Sequence, residues 1–282
     1  MDSIIRFRSD GQVWAIRENQ QPSTLLVYPT DLNFTSLMTY IDSLNVPRGG
    51  LHLIIAGEDQ TFPRQVDLRY PKGPSNAIDR AQTLVSHPAV ASLSVENLDT
   101  PLDGISPIPT GVLPRNTTGS TVRVVRTNLF PKPEQEKSVL VAHRVRDGDQ
   151  WEARRVTQQL AEGPWAGFCD TLDEEVSPTA FRRLLTSHRF TLCVEGGGLD
   201  PSPKAFEALL AGSIPIIRRT ATTPAYGKLP VLVVEDWSTD ALNERLLENF
   251  YREASSQWSG RWNDVLRSIS SDYWWNVVRG RT

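Results

Sequence analysis

Short apolar, β-branched runs recur along the chain at Thr24–Tyr28, Leu51–Ala56, Val122–Val125, Ser138–Ala142, Phe190–Val194, Ile214–Ile217 and Pro230–Val234. Each has the length and continuous apolar character of a strand buried on both faces. Between many of them the apolar residues fall at helical spacing, over Phe34–Leu44, Asn76–Ser86, Gln150–Ala161, Thr179–Ser187, Lys204–Ala211 and Asp240–Glu253. Strand alternating with helix predicts parallel sheets covered by helices.

The rhythm fails between Pro107 and Glu136, where prolines, Asn116-Thr117-Thr118-Gly119-Ser120 and the polar run Pro131 to Lys137 interrupt it. A break of this kind predicts a boundary near residue 134, giving two α/β domains, 1–133 and 134–258, and a C-terminal segment, 259–282. In that segment Trp262, Val265, Leu266, Ile269, Tyr273, Trp274, Val277 and Val278 place an aromatic-rich apolar face on a helix over Arg261–Arg279. Such a helix needs a groove, and the junction of two domains offers one. No internal repeat or low-complexity tract is visible, which sets solenoids and propellers aside.

A chain of 282 residues, 39% apolar and 22% charged, is large enough for two cores and has the composition of a soluble globular protein. Its net charge of −3, without a basic block, lacks the electrostatic footprint of a nucleic-acid binder. Cys169 and Cys193, the second inside an apolar run, predict buried free thiols rather than a disulfide framework. No basic region followed by an apolar stretch opens the chain, and no run approaches the ~18 apolar residues of a membrane span. The expectation is a soluble, cytoplasmic protein without an integral membrane segment.

The segment from Phe190 to Ile217 carries the chemistry. It reads as strand (Phe190–Val194), glycine loop (Glu195-Gly196-Gly197-Gly198-Leu199-Asp200-Pro201-Ser202-Pro203), helix (Lys204–Ala211), Gly212-Ser213 and strand (Ile214–Ile217). Asp200 or Ser202 is placed to cap the helix, and both count among the donor-binding candidates, with Pro201 or Pro203 in its first turn and Gly212 as the residue that ends it. Glycines before a helix start let backbone approach an anion such as a diphosphate, and Gly196, Gly197 and Gly198 are candidates for that cradle. Lys204 adds a cation, and Glu207, three residues on, is a candidate to accept hydrogen bonds from ribose hydroxyls. A tight turn with a solvated Lys204–Glu207 pair explains the same spacing. Beyond the strand at Ser138–Ala142, at the edge where open α/β sheets bind ligands, His143, Arg144 and Arg146 are further candidates for the diphosphate, against the alternative of a polar loop.

The run Cys193 to Ile217 resembles the donor-site signature of exostosin-like glycosyltransferases, in which a G-x-G-x-D element precedes a basic residue, an aromatic-Glu-Ala-Leu helix and a G-x-I-P strand. Leu229-Pro230-Val231 through Asp236-Trp237, and Tyr273-Trp274, resemble later motifs of that family. The chain departs from it at Pro201-Ser202-Pro203-Lys204, where the family carries arginine and a shorter loop. The resemblance implies a GT-B architecture: two Rossmann-like domains facing a central cleft, a C-terminal helix crossing between them, and the donor held by the second. It further implies metal-independent, inverting transfer from a nucleotide diphosphate sugar, a uridine more than a guanosine donor, to a glycan hydroxyl. Domain closure with a hinge at Pro131–Pro133 and a cleft lined by Asn97, Thr110 and Gly111 belong to the same expectation. No cofactor is expected beyond the donor. An epimerase acting on the donor sugar and a non-catalytic binding module are the alternatives.

Inverting transfer needs a base opposite the leaving nucleotide. At the carboxyl end of Leu51–Ala56, Glu58 and Asp59 are the candidates, with Asp59 further into the loop. Loop acids without a catalytic role are the competing explanation.

Overall fold

The computed structural model describes residues 3–8, 10–112, 130–134, 137–172 and 174–281. It is a mixed α/β structure with two sheets. The first has the order β2-β1-β3-β4-β5-β6. Its strands are β1 (Ser3–Phe7), β2 (Val13–Arg17), β3 (Thr24–Val27), β4 (Leu51–Ile55), β5 (Val90–Val95) and β6 (Ile105–Pro107). Only the β1–β2 pairing is antiparallel, and β2 forms an edge. Helices α1 (Phe34–Ser43) and α2 (Ala77–Val85) link the central strands. The core around Leu25, Leu53 and Leu93 explains why β3 and β4 read as continuous apolar runs.

The second sheet is wholly parallel, in the order β11-β10-β9-β7-β8. It comprises β7 (Val139–Val141), β8 (Cys169–Thr171), β9 (Phe190–Leu192), β10 (Ile214–Arg218) and β11 (Leu232–Val234), with α3 (Glu152–Glu162), α4 (Pro178–Ser187), α5 (Lys204–Leu210) and α6 (Glu244–Trp258). Its own core gathers Phe190, Leu192, Ile214 and Ile216 with Trp165. Cys169 and Cys193 are both free and buried.

Five strands lack the expected signature. Ser92 and Ser94 interrupt β5, β6 and β8 are three residues each, and the β1–β2 hairpin mixes Arg6, Trp14 and Arg17 into short runs. The expected strand at Val122–Val125 lies outside the described residues. The helix expected from Asp240 begins at Glu244, because Asn243, whose carboxamide accepts from the Leu246 N–H at 2.9 Å, is the residue that caps it.

The C-terminal segment forms two helices, α7 (Trp262–Ser268) and α8 (Ser271–Val278), separated at Ser270, which caps the second. The first packs on α5 of the second half, where Trp262 Nε1 donates to the Leu209 carbonyl at 3.0 Å. The other packs on β5 of the first half, where Ser92 Oγ donates to the Val278 carbonyl at 3.0 Å.

Pro131–Pro133, read as a hinge, is tied to the second half. Phe130 stacks on Trp262 with ring centroids 4.5 Å apart. Lys132 is buried, and its ammonium donates to the carbonyls of Leu185 and His188.

Candidate functional site

At the carboxyl edge of the second sheet a cavity of about 770 Å³ opens between α3, α4 and α5. This lies within the range of small-molecule sites. Lys204 and Glu207 from α5 line it together with His143 and Arg144 after β7. Lys204 Nζ donates to the Ala142 carbonyl at 2.7 Å, and burial lowers its ammonium to about 8, which leaves most of the charge in place at neutral pH. Burial, reinforced by Lys204, holds His143 down at about 3, so the ring is neutral and donates from Nε2 to the Arg154 carbonyl at 3.0 Å. Arg144 is ion-paired with Glu175, another wall residue. Arg146 does not line this cavity; its guanidinium stands 4.8 Å from the Trp151 ring centre.

The helix expected between Lys204 and Ala211 is α5, but its start differs from the reading. Pro203 occupies the cap position, and no side chain caps the first turn. Ser202 adopts φ +73°, and Asp200 is turned inward to accept from Tyr226 Oη at 2.7 Å. Neither is the cap; the prolines set the turn instead. At the other end Gly212 takes φ +71°, and the N–H groups of Gly212 and Ser213 close onto the carbonyls of Leu209 and Ala208. That is a glycine C-cap of the Schellman type.

Gly196, Gly197 and Gly198 are not on the cavity wall; Gly197 and Gly198 meet side chains of the first half, and Gly196 meets Arg154 of its own half. A β-carbon on Gly196 would stand 2.6 Å from Arg154 Nη2. One on Gly197 would meet Arg69 Nη2 at 1.7 Å and Asp59 Oδ2 at 2.6 Å. One on Gly198 would meet Asn97 Oδ1 at 2.0 Å. The glycines are therefore required by close approach of side chains, and two of these side chains are guanidinium groups. Arg154 donates from Nε to the Glu195 carbonyl at 3.1 Å and from Nη1 to the Arg144 carbonyl at 3.3 Å, so it joins the loop to the cavity wall. Arg69, Arg146 and Arg154 all lie within 5.3 Å of the Trp151 ring centre. Gln150 fixes the loop by donating to the carbonyls of Gly196 and Gly197.

The first half brings Asp59 to this point and turns Glu58 away. Asp59 Oδ2 accepts from Arg69 Nη2 at 2.8 Å, beside Gly197. Glu58 pairs with Arg6 of β1 at 3.2 Å. Arg69 is held from its other side by buried Asp67, which takes Nε and Nη2 and is the main reason its ionisation is displaced upward. Asn97, with φ +54°, bridges the halves: Oδ1 accepts from the Asp200 N–H at 3.0 Å and Nδ2 donates to the Glu58 carbonyl at 3.2 Å. The Thr110 N–H approaches Asp200 Oδ2 at 3.4 Å, and Gly111 faces the Phe206 ring.

Sequence reasoning missed Arg69, Asp67, Gln150, Trp151 and Glu96. The loop Asp67-Leu68-Arg69 has no periodicity or motif, and only tertiary contact puts it on the glycines. Glu96, held up by burial, accepts from the Gly57 N–H at 2.8 Å behind the Asp59 loop.

Asp200 is buried, and burial pushes its carboxyl up to about 7, against a usual 3.8. The folded chain therefore keeps a proton that the unfolded chain releases, and the residue subtracts stability progressively as pH rises from about 4 to 7. Asp200→Asn removes that cost. Its stability relative to the wild type is expected to rise by on the order of 2 kcal/mol between pH 4.5 and 8, in urea titrations at both values. Parallel pH profiles for the two proteins would contradict a raised carboxyl.

No protein-family profile matches the chain, and no curated protein matches it. Among solved structures, it is similar to an alpha,alpha-trehalose-phosphate synthase (UDP-forming) from Burkholderia xenovorans in complex with glucose-6-phosphate. That likeness has 12% identity and a TM-score of 0.47 over 94% of this chain and 74% of the other. An alpha,alpha-trehalose-phosphate synthase (UDP-forming) from Burkholderia vietnamiensis matches at 9% identity and a TM-score of 0.41, over 87% of this chain and 67% of that one. The exostosin-like resemblance thus rests on the motifs alone.

Proposed function

We propose that this chain is a GT-B glycosyltransferase that moves a sugar from a nucleotide diphosphate donor, uridine more than guanosine, to a glycan hydroxyl with inversion. One observation carries the reading: Lys204 and Glu207, singled out as diphosphate and ribose ligands, stand with His143 and Arg144 around one cavity at the carboxyl edge of the second sheet. In this reading residues 134–258 hold the donor, residues 1–133 present the acceptor, and 259–282 link the two.

The roles follow from position. Glu207 accepts from the ribose hydroxyls. The diphosphate lies toward Gly196–Gly198, where Arg154 and Arg69 supply cations that Lys204, engaged with the Ala142 carbonyl, supplies less directly. His143, neutral, orients Arg154 through that residue's carbonyl rather than supplying charge. Asp59 takes the proton of the acceptor hydroxyl as its oxygen bonds to the sugar carbon. The carbon–oxygen bond to the diphosphate breaks, with its electron pair leaving on phosphate. Electrostatic stabilisation of that developing charge is the largest contribution a site of this kind makes. No metal or cofactor is assigned a role.

Incubation with a panel of uridine and guanosine diphosphate sugars and saccharide acceptors, followed by mass spectrometry, tests the reading. A new glycosidic product supports it. An epimerised donor, or binding without product, overturns it in favour of an isomerase or a binding module. Glu207→Ala is expected to weaken the nucleotide about 10- to 100-fold, the loss of charge-assisted hydrogen bonds to two hydroxyls. Unchanged affinity in calorimetry would remove the ribose assignment.

A further inference from the structure

We propose that Arg69 is a donor-operated switch: its guanidinium, paired with Asp59 across Gly197, exchanges that carboxylate for the diphosphate of a bound nucleotide and so releases Asp59 to act as base. The inference rests on the nucleotide-sugar reading and adds the step that couples donor binding to base availability.

The two acidic partners of Arg69 are unequal. Asp67 is fully buried and engages both Nε and Nη2, the latter at 2.6 Å, in a bidentate grip. Asp59 is 59% exposed and holds a single contact, to Nη2 at 2.8 Å. A bidentate buried pair fixes the guanidinium, whereas a single exposed carboxylate adds little and is readily replaced. Asp67 is thus the anchor and Asp59 the exchangeable partner.

The exchange has a defined place. Arg69 Nη2 and Asp59 Oδ2 both press on Gly197, and Arg154 Nη2 presses on the adjacent Gly196. Two cations from opposite halves therefore flank two successive glycines. Among the described residues nothing accepts from the N–H groups of Gly197 or Gly198. A diphosphate set against this loop meets both guanidinium groups and brings more negative charge than the one carboxylate it displaces. Asp59, no longer neutralised, is then free to take the acceptor proton. The order of events protects the donor, since the base is released only when donor is bound.

The competing account is that Asp59 merely repels the nucleotide through space, and a double-mutant cycle separates the two. Uridine diphosphate and guanosine diphosphate are titrated by calorimetry into the wild type, Asp59→Asn, Arg69→Gln and the double variant. Asp59→Asn is expected to bind about three- to tenfold tighter, because the competitor for Arg69 is gone. Arg69→Gln binds about tenfold weaker or worse, and in that background Asp59→Asn changes nothing. A tightening that persists without Arg69 assigns the effect to simple repulsion and overturns the switch, as does unchanged or weaker binding by Asp59→Asn.

Failure of the underlying reading looks different, because then neither nucleotide binds the wild type at millimolar concentration. Asp59 is exposed, so its replacement preserves the fold. Arg69→Gln leaves buried Asp67 without its cation; if it does not fold, Asp67→Asn/Arg69→Gln, which removes acid and cation together, takes its place in the cycle.

Discussion

Asp59→Asn is expected to lower the maximal rate of sugar transfer by about 10²- to 10⁴-fold, the usual worth of a positioned general base. The amide keeps the size and shape of the side chain but has no lone pair basic enough to take the acceptor proton. Nucleotide affinity does not fall in this variant, so the whole loss appears in turnover at saturating donor. Glu58→Gln is the control. Its carboxylate is spent on Arg6, which itself lies 3.9 Å over the Tyr28 ring, and its expected effect on turnover is within about threefold. Steady-state rates of the two variants decide between the neighbouring acids. A collapse in Glu58→Gln with Asp59→Asn intact would exchange their roles, and full activity in both would send the search for the base elsewhere.

The same pair of residues shows what the sequence conveys and what it does not. The strand Leu51–Ile55 is a buried apolar run, so its carboxyl end, and with it Glu58 and Asp59, was legible. Which of the two faces the second half depends on Arg6 and Arg69, residues brought there by the β1–β2 hairpin and by an irregular loop. Neither carries a periodic signal. The glycines offer a second case. Their spacing before α5 read as a cradle for a diphosphate, but the contacts that forbid a side chain at each come from Arg154, Arg69 and Asn97. Local pattern identified the loop; of its cations, Arg154 comes from α3 of the same half, and Arg69 reaches it only where the two halves meet. Lys204, adjacent in sequence, was the cation that a local reading finds first, and it is turned to the Ala142 carbonyl instead. Asp200 likewise read as a cap because acids favour that position, yet Tyr226 and Thr110 draw it into the interior.

Gly198→Ala is expected to destabilise the folded chain by about 2–4 kcal/mol, because the methyl group has nowhere to go. Its β-carbon would lie 2.0 Å from Oδ1, 2.2 Å from Cγ and 2.6 Å from Nδ2 of Asn97. At Gly197 the opposing atoms are the far ends of Arg69 and of the exposed Asp59 side chain, the second of which has some freedom to yield. At Gly198 it is the whole carboxamide of a short, buried side chain on a residue at φ +54°. Moving that carboxamide breaks its bonds to both the Asp200 N–H and the Glu58 carbonyl, one on each side of the junction. For a chain of this size the loss corresponds to a melting temperature lower by roughly 3–7 °C. Asn97→Ala isolates the cause: it removes the obstacle, so Gly198→Ala in that background costs at least about 1 kcal/mol less than in the wild type. Strict additivity of the two changes would mean that the glycine is required for its own backbone conformation and not for the approach of Asn97. Because the bridge also fixes the loop that carries Asp59, a coupled pair further implies that Gly198→Ala slows transfer more than it weakens the nucleotide, a split that a purely local turn defect does not produce.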